Sequence, residues 1–201
     1  MGGVRSKWDR RWRERASAGN TQPDAWLQRI TPLLAPGRTL DLACGSGRNA
    51  LYLAARGFAV TAVDVSGVAL EQLREQAAQA GFAIETQRLD LEQDSLLPAG
   101  PFDLLLDFYY LHRPVLAPLL ERVAAGGMAV VRTFSCAGDY PPGSVPAEMV
   151  LRPGELLDIF SDWDVVLHEE GLEPSRKGGS LASVVAQKPS GTGPGAEKSN
   201  L

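Results

Sequence analysis

The sequence predicts an α/β domain built on a doubly wound, mostly parallel sheet. Three observations carry that reading. Residues 40–65, LDLACGSGRNALYLAARGFAVTAVDV, spell strand, glycine turn, helix and strand. Strand-like and helix-like runs then alternate along the chain, with glycine after three of the helices. Finally, 201 residues at 44% hydrophobic composition suffice for one sizeable core.

The elements follow in order. Residues 4–15, VRSKWDRRWRER, carry six basic and two acidic side chains, with Trp8 and Trp12 four apart on one helical face. This reads as an amphipathic packing helix in preference to a nucleic-acid arm or transit peptide, because Asp9 and Glu14 interrupt the basic charge. Residues 24–35 form a second helical segment with Trp26, Leu27, Ile30, Leu33 and Leu34 as its apolar stripe, ended or bent at Pro32. Residues 1–36 therefore read as an N-terminal helical cap and residues 37–188 as the main domain. Within it, Thr39 to Ala43 is a buried strand, Arg48 to Arg56 a helix capped by Gly57, and Phe58 to Val65 a second buried strand.

Ser66 is placed to cap a helix that runs to Ala80 and stops at Gly81. Residues 83–90 half-alternate and predict a more exposed strand ending at Asp90. Residues 102–110, FDLLLDFYY, predict a buried strand and its exit. A helix from Leu111 through Ala124 is expected next, with Pro114 in its first turn, and Gly126-Gly127 then turns into a strand from Met128 to Phe134. Residues 135–152 break the rhythm with prolines and glycines, which in a compact domain marks a functional loop. A short helix follows to Phe160, then strands at 163–169 and 180–188 joined by a polar loop. From Pro189 the composition, PSGTGPGAEKSNL, is that of a disordered tail.

Net charge of −4 argues against a nucleic-acid or membrane surface, which needs a basic field, and favours a small-molecule substrate. Cys44 and Cys136 have no metal-ligand spacing, so no metal is expected. No apolar run reaches the roughly 18 residues of a membrane span, and the first residues lack a signal peptide's apolar segment, so the expected location is cytoplasmic.

The chemistry converges on the glycine turn. Glycines between strand and helix let a ligand approach the backbone, and the helix start offers unpaired N–H groups. Asp64, ending the second strand, can bind a ribose diol. Together these describe a nucleoside-cofactor site. Gly45 to Ala50 also fits the dinucleotide pattern G-x-G-x-x-G/A. Asp41 separates the two cofactors, since a carboxylate four positions before Gly45 opposes a pyrophosphate and attracts an ammonium.

Asp41 and the following LDLACGSG resemble motif I of the class I S-adenosylmethionine-dependent methyltransferases. FDLLLDF resembles their motif IV, and YYLHRP, LRPGELL and SLASVVAQKP resemble the small bacterial tellurite-resistance and thiopurine-type branch. The resemblance spans roughly residues 5–189 of a fold of about one domain's length. It implies a Rossmann-like, seven-stranded sheet whose last two strands form an antiparallel hairpin, and an N-terminal helix that closes the cleft. It implies S-adenosylmethionine as cofactor and methyl transfer to a small-molecule acceptor. The cofactor would be held by Asp41, Ala43, Gly45, Ser46, Gly47, Asn49, Asp64, Val65, Asp90, Leu91 and Asp107. Asp90 is placed to accept from the adenine amine, or is a simple turn aspartate. Asp107, Tyr109 and His112, facing the transferable methyl, are the candidate catalytic residues. A non-catalytic cofactor binder and an NAD(P) oxidoreductase stay open as alternatives at this point.

Overall fold

The computed structural model describes residues 3–15, 22–94 and 96–191. Seven strands form one sheet: β1 (Arg38–Leu42), β2 (Ala59–Asp64), β3 (Glu85–Arg88), β4 (Phe102–Phe108), β5 (Val123–Ser135), β6 (Asp164–Pro174) and β7 (Ser180–Gln187). Their spatial order is β3-β2-β1-β4-β5-β7-β6. The first five pair parallel, and β7 runs antiparallel to both β5 and β6. This is the doubly wound sheet with a C-terminal antiparallel hairpin that the sequence predicts.

Helices cover both faces, which explains why the central strands are apolar without alternation. In β4, Leu104, Leu105 and Leu106 are all buried, and each such side chain contributes about 1.5–3 kcal/mol on leaving water. Helices α1 (Val4–Arg15), α2 (Ala25–Ile30), α3 (Arg48–Ala54), α4 (Gly67–Ala80), α5 (Arg113–Glu121) and α6 (Glu155–Ile159) complete the domain. α2 passes into a short 3-10 turn over Thr31–Leu33 at Pro32. Ser66 caps α4 by accepting a bond from the Ala69 N–H, and Gly81 closes it in the left-handed region. No helix among the described residues is long and apolar enough to cross a membrane.

Four boundaries depart from the sequence expectation. β3 is only four residues long, as befits a sheet edge with half its side chains in solvent. α5 stops at Glu121 instead of Ala124. Val123 already pairs with Phe102 in β5, and Gly126-Gly127 lie inside that strand at an irregularity in register instead of preceding it. β6 runs on to Pro174, past the expected end at Glu169, because a bulge at Gly171, with φ of +67°, lets pairing resume between Pro174 and Ser180. The tail expected from Pro189 lies outside the described residues from residue 192 onward.

Candidate functional site

At the carboxyl ends of β1, β4 and β5 an open cleft of about 1260 Å³ runs between the glycine turn and the start of α2. That exceeds the roughly 300–1,000 Å³ usual for one drug-sized ligand, so it has room for a cofactor and an acceptor together. Asp41, Ala43, Gly45, Ser46, Asn49 and Tyr109 line it. Gly47, Asp64, Val65, Asp90, Leu91, Asp107 and His112 do not.

The glycine turn is built by its own backbone needs. Gly45 (φ +58°) and Gly47 (φ +77°) are left-handed, and a Cβ on either would meet a neighbour, Trp12 Cζ2 at 2.5 Å and Leu73 Cδ1 at 2.3 Å respectively. Asp64 holds the turn from the end of β2: one carboxylate oxygen accepts the Gly45 N–H and the other the Ser66 N–H, both at 2.8 Å. Ala43 is left-handed too, with φ of +48°, a conformation that strains a residue with a side chain.

Two buried carboxylates stand at neighbouring strand ends. Asp41 and Asp107 are each 2% exposed. Asp107 is paired in register with Leu42 and Asp41 with Leu106, so the two side chains leave the sheet on opposite faces. Against the sequence expectation, Asp107 does not join Asp41 in the cleft. Asp41 Oδ2 and Asp107 Oδ1 are buried with no hydrogen-bond partner. Burial, with the Asp64 charge behind it, pushes Asp41 up to about 7, against a smaller opposing pull from Arg48. Burial also pushes Asp107 well above the carboxylate range. Asp64 is raised by burial as well, although the N–H groups of Ser66 and Gly45 oppose the shift. The unpartnered Asp41 oxygen in the cleft fits a cationic ligand group, whose charge favours the ionised carboxylate that burial alone disfavours, and an ammonium supplies the missing donor. The residues therefore fit S-adenosylmethionine and oppose a pyrophosphate.

α1 lies against the end of β2 and the start of α4. Asp9 accepts from Ser66 Oγ (2.7 Å), the Val68 N–H (3.3 Å) and Arg88 (3.1 Å), and Arg5 pairs with Asp94 at 2.9 Å. Trp8 and Trp12 line the cleft, as an N-terminal lid helix requires. Asp90 builds a turn, its Oδ1 accepting the Glu92 N–H at 3.2 Å. His112 occupies the N-cap of α5 without a capping bond, and its Nδ1 is buried without a partner.

The opposite wall is one that sequence reasoning missed. Asp24 caps α2 by accepting the Trp26 N–H at 3.0 Å, and its other oxygen accepts the Tyr109 hydroxyl at 2.7 Å. Arg48 lies 3.4 Å and Arg132 3.6 Å from that carboxylate. Arg132, 5% exposed, also donates to Ser183 Oγ (2.6 Å) and to Glu173. Trp26 Nε1 donates to Glu169 at 2.8 Å, and Arg29 binds the same oxygen. Two signals were available: Pro23-Asp24 immediately before an apolar helical run is a cap, and Arg132 is a lone charge in the apolar strand VVRTF. Residues 135–152 contribute nothing to the cleft. Arg113 fastens that loop instead, reaching Glu155 (2.5 Å) and the carbonyls of Glu148 and Val150.

Comparison with known proteins fits this geometry. A family model described as tellurite resistance protein TehB matches residues 21–179. The chain belongs to the TehB family. Among curated relatives it is 26% identical over 159 residues to hemagglutinin 1 of Eikenella corrodens, covering 77% of this chain and 53% of that one. It is 24% identical to the probable S-adenosyl-L-methionine-dependent methyltransferase TehB of Haemophilus influenzae strain 10810, covering 70% of this chain and 50% of that one. The chain thus spans about half the length of the curated relatives it matches. The crystal structure of TehB from Haemophilus influenzae superposes with a TM-score of 0.72 at 19% identity, over 87% of this chain and 65% of that one. At that identity the likeness establishes the fold alone.

Proposed function

We propose that this chain is an S-adenosylmethionine-dependent methyltransferase that acts on a small-molecule acceptor. One observation carries the reading: Asp41, a buried carboxylate with an unpartnered oxygen at the carboxyl end of β1, lines the cleft beside a left-handed glycine turn. An ammonium group answers it. The TehB family membership and the methyltransferase named among the relatives support the same cofactor.

When bound, the cofactor supplies an activated methyl on a sulfonium, so the chain needs no nucleophile of its own. Its work is placement, which is worth up to about 7–11 kcal/mol of barrier. Asp41 holds the ammonium end, and Asp107, on the other face of the sheet and outside the cleft lining, receives no part in it. Asp64, fixed by the Gly45 and Ser66 N–H groups, meets the ribose, while Val65, Asp90 and Leu91 border the base under α1. Gly45, Ser46, Gly47 and Asn49 form the bed of the turn. Tyr109, at the exit of β4, faces the acceptor. His112 lies outside the cleft lining and receives no step here.

Calorimetric titration of the purified protein with S-adenosylmethionine and, separately, NADH tests the cofactor, and binding of NADH alone would overturn it. Incubation with methyl-labelled S-adenosylmethionine and pooled small metabolites tests turnover. Tight cofactor binding with no label transferred from any pool would leave a binder and remove the enzyme.

A further inference from the structure

The acceptor wall contains a buried carboxylate with an arranged set of partners. Asp24 is 7% exposed and tied to four elements. Its own N–H donates to Asn49 Oδ1 in α3 at 3.0 Å, its carboxylate caps α2, and the same carboxylate takes the Tyr109 hydroxyl at the β4 exit. Arg48 and Arg132 flank it. In each of its side-chain hydrogen bonds the Asp24 carboxylate is the acceptor, and the Tyr109 hydroxyl is the donor. The Tyr109 proton is therefore directed at Asp24. Arg132 is hydrogen-bonded to the phenol as well, so what the oxygen still offers is one remaining lone pair to accept.

The backbone is bent to keep it so. Tyr109 has φ of +63°, and with Ala43 it is one of two non-glycine residues in the left-handed region among the described residues. Bulky residues sit there only when surroundings hold them, and such strain concentrates at functional sites. Here the holders are Asp24, the guanidinium of Arg48 5.7 Å over the Tyr109 ring, and Phe134, with its ring centroid 5.6 Å away.

We propose that Asp24 is the positioning residue of the acceptor half. By engaging the Tyr109 proton it leaves the phenol oxygen to accept, so the site selects acceptors whose methyl-receiving atom bears a hydrogen: a hydroxyl, amine or thiol. This assignment rests on the methyl-transfer reading. The atom's hydrogen bond to Tyr109 aims its lone pair at the methyl carbon. A new bond forms there as the carbon–sulfur bond breaks, with the electron pair left on sulfur, and the displaced proton passes to water in the open cleft.

Two measurements test it. The first needs no ligand: ultraviolet titration of tyrosine ionisation in the free protein. Burial first, and then the Asp24 charge and hydrogen bond, hold Tyr109 above its ordinary value, while Arg132 pulls the other way. Asp24→Asn keeps a good cap and removes the charge, so the Tyr109 signal should move to lower pH; Tyr109→Phe should erase it. A signal that stays in place in Asp24→Asn would overturn the proposal. The second is calorimetry on protein loaded with S-adenosylhomocysteine, using phenol against anisole, the same ring without the donor hydrogen. Phenol should bind about fivefold tighter, the value of one neutral hydrogen bond, and the preference should vanish in Asp24→Asn and in Tyr109→Phe. Equal binding in the unsubstituted protein, or a preference that survives both changes, would overturn it. Failure of S-adenosylhomocysteine to bind at all would instead strike the cofactor reading.

Discussion

The two walls of the cleft are built in opposite ways. The cofactor wall comes from a single run, residues 41–49, and one strand end nearby in sequence, Asp64. The acceptor wall is assembled from afar: Tyr109 reaches Asp24 across 85 positions and Trp26 reaches Glu169 across 143. The electrostatics differ as well. Asp41 keeps an unpartnered oxygen, whereas Asp24, Glu169 and Glu173 each have a cationic partner. One wall waits for a charge from its ligand, and the other is neutralised within the protein. It follows that substitutions should divide into two kinds, those that alter ligand affinity and those that loosen the fold.

The largest effect should come from the neutralised wall. Arg132→Met removes the buried partner of Asp24 and Glu173 and leaves Asp24 with Arg48, whose side chain is 29% exposed. Breaking a buried pair from one side costs about 3–5 kcal/mol, or on the order of 10 °C in melting temperature for a domain of this size. Thermal unfolding checks it. The double change Arg132→Met with Asp24→Leu should recover part of the loss, because the orphaned charge goes too. A single variant that melts normally would mean that this wall is no more pre-neutralised than the other.

Asp41→Asn should do the reverse, trading affinity for stability. The folded value near 7 lies above the ordinary carboxylate value. Between the two, the folded state holds a proton that the unfolded chain has lost, so Asp41 lowers stability as pH rises through that window. The asparagine variant escapes this and should be more stable than the parent above pH 7. Its affinity for S-adenosylmethionine should nevertheless fall roughly tenfold or more, from loss of a charge-assisted bond worth about 1.5–3 kcal/mol. In the parent, affinity should rise with pH through about 7 as the carboxylate ionises, and in the variant that rise should be much reduced. Calorimetry across pH decides; a variant that is stabilised yet binds as before would remove the ammonium assignment.

That contrast also explains what could be read from the sequence. The glycine turn and the strand–helix alternation of a parallel sheet were legible because each is a local pattern whose partners lie within one strand–turn–helix unit. Asp24 looked like an ordinary residue before a helix, and its role depends on Tyr109 and Arg132 arriving from β4 and β5. Pro118 inside α5 and the bulge at Gly171 moved element ends for the same reason: tertiary pairing of Val123 with Phe102 and Pro174 with Ser180 overrode local preference.

A smaller effect is expected at Ala43, where left-handed backbone meets a side chain on the cofactor wall. Ala43→Gly relieves conformational strain of about 1–2 kcal/mol, less the roughly 0.5–1 kcal/mol that glycine loses in chain entropy on folding. A slight net gain in denaturation midpoint should result, with cofactor affinity equal or tighter because the methyl no longer lines the approach. Weaker binding would show that the Ala43 methyl itself contacts the ligand.

The smallest effect should be at His112, which borders neither wall. It holds the N-cap of α5 in extended backbone but makes no side-chain bond to the helix, and its Nδ1 is buried without a partner. An asparagine there can accept from the exposed N–H groups of the first turn, which is typically worth about 1 kcal/mol at a cap. The gain should fall below that figure, since the imidazole's packing is lost at the same time. His112→Asn is thus expected to unfold at the same or a slightly higher denaturant concentration and to bind S-adenosylmethionine as the parent does. Turnover with any acceptor found should stay within about twofold, because general-base catalysis, where used, contributes roughly 10²–10⁴-fold and its loss would be plain. A drop of that size with cofactor affinity intact would carry the acceptor wall past Tyr109 to the start of α5, and a base would have to be added to a site now read as working by placement alone.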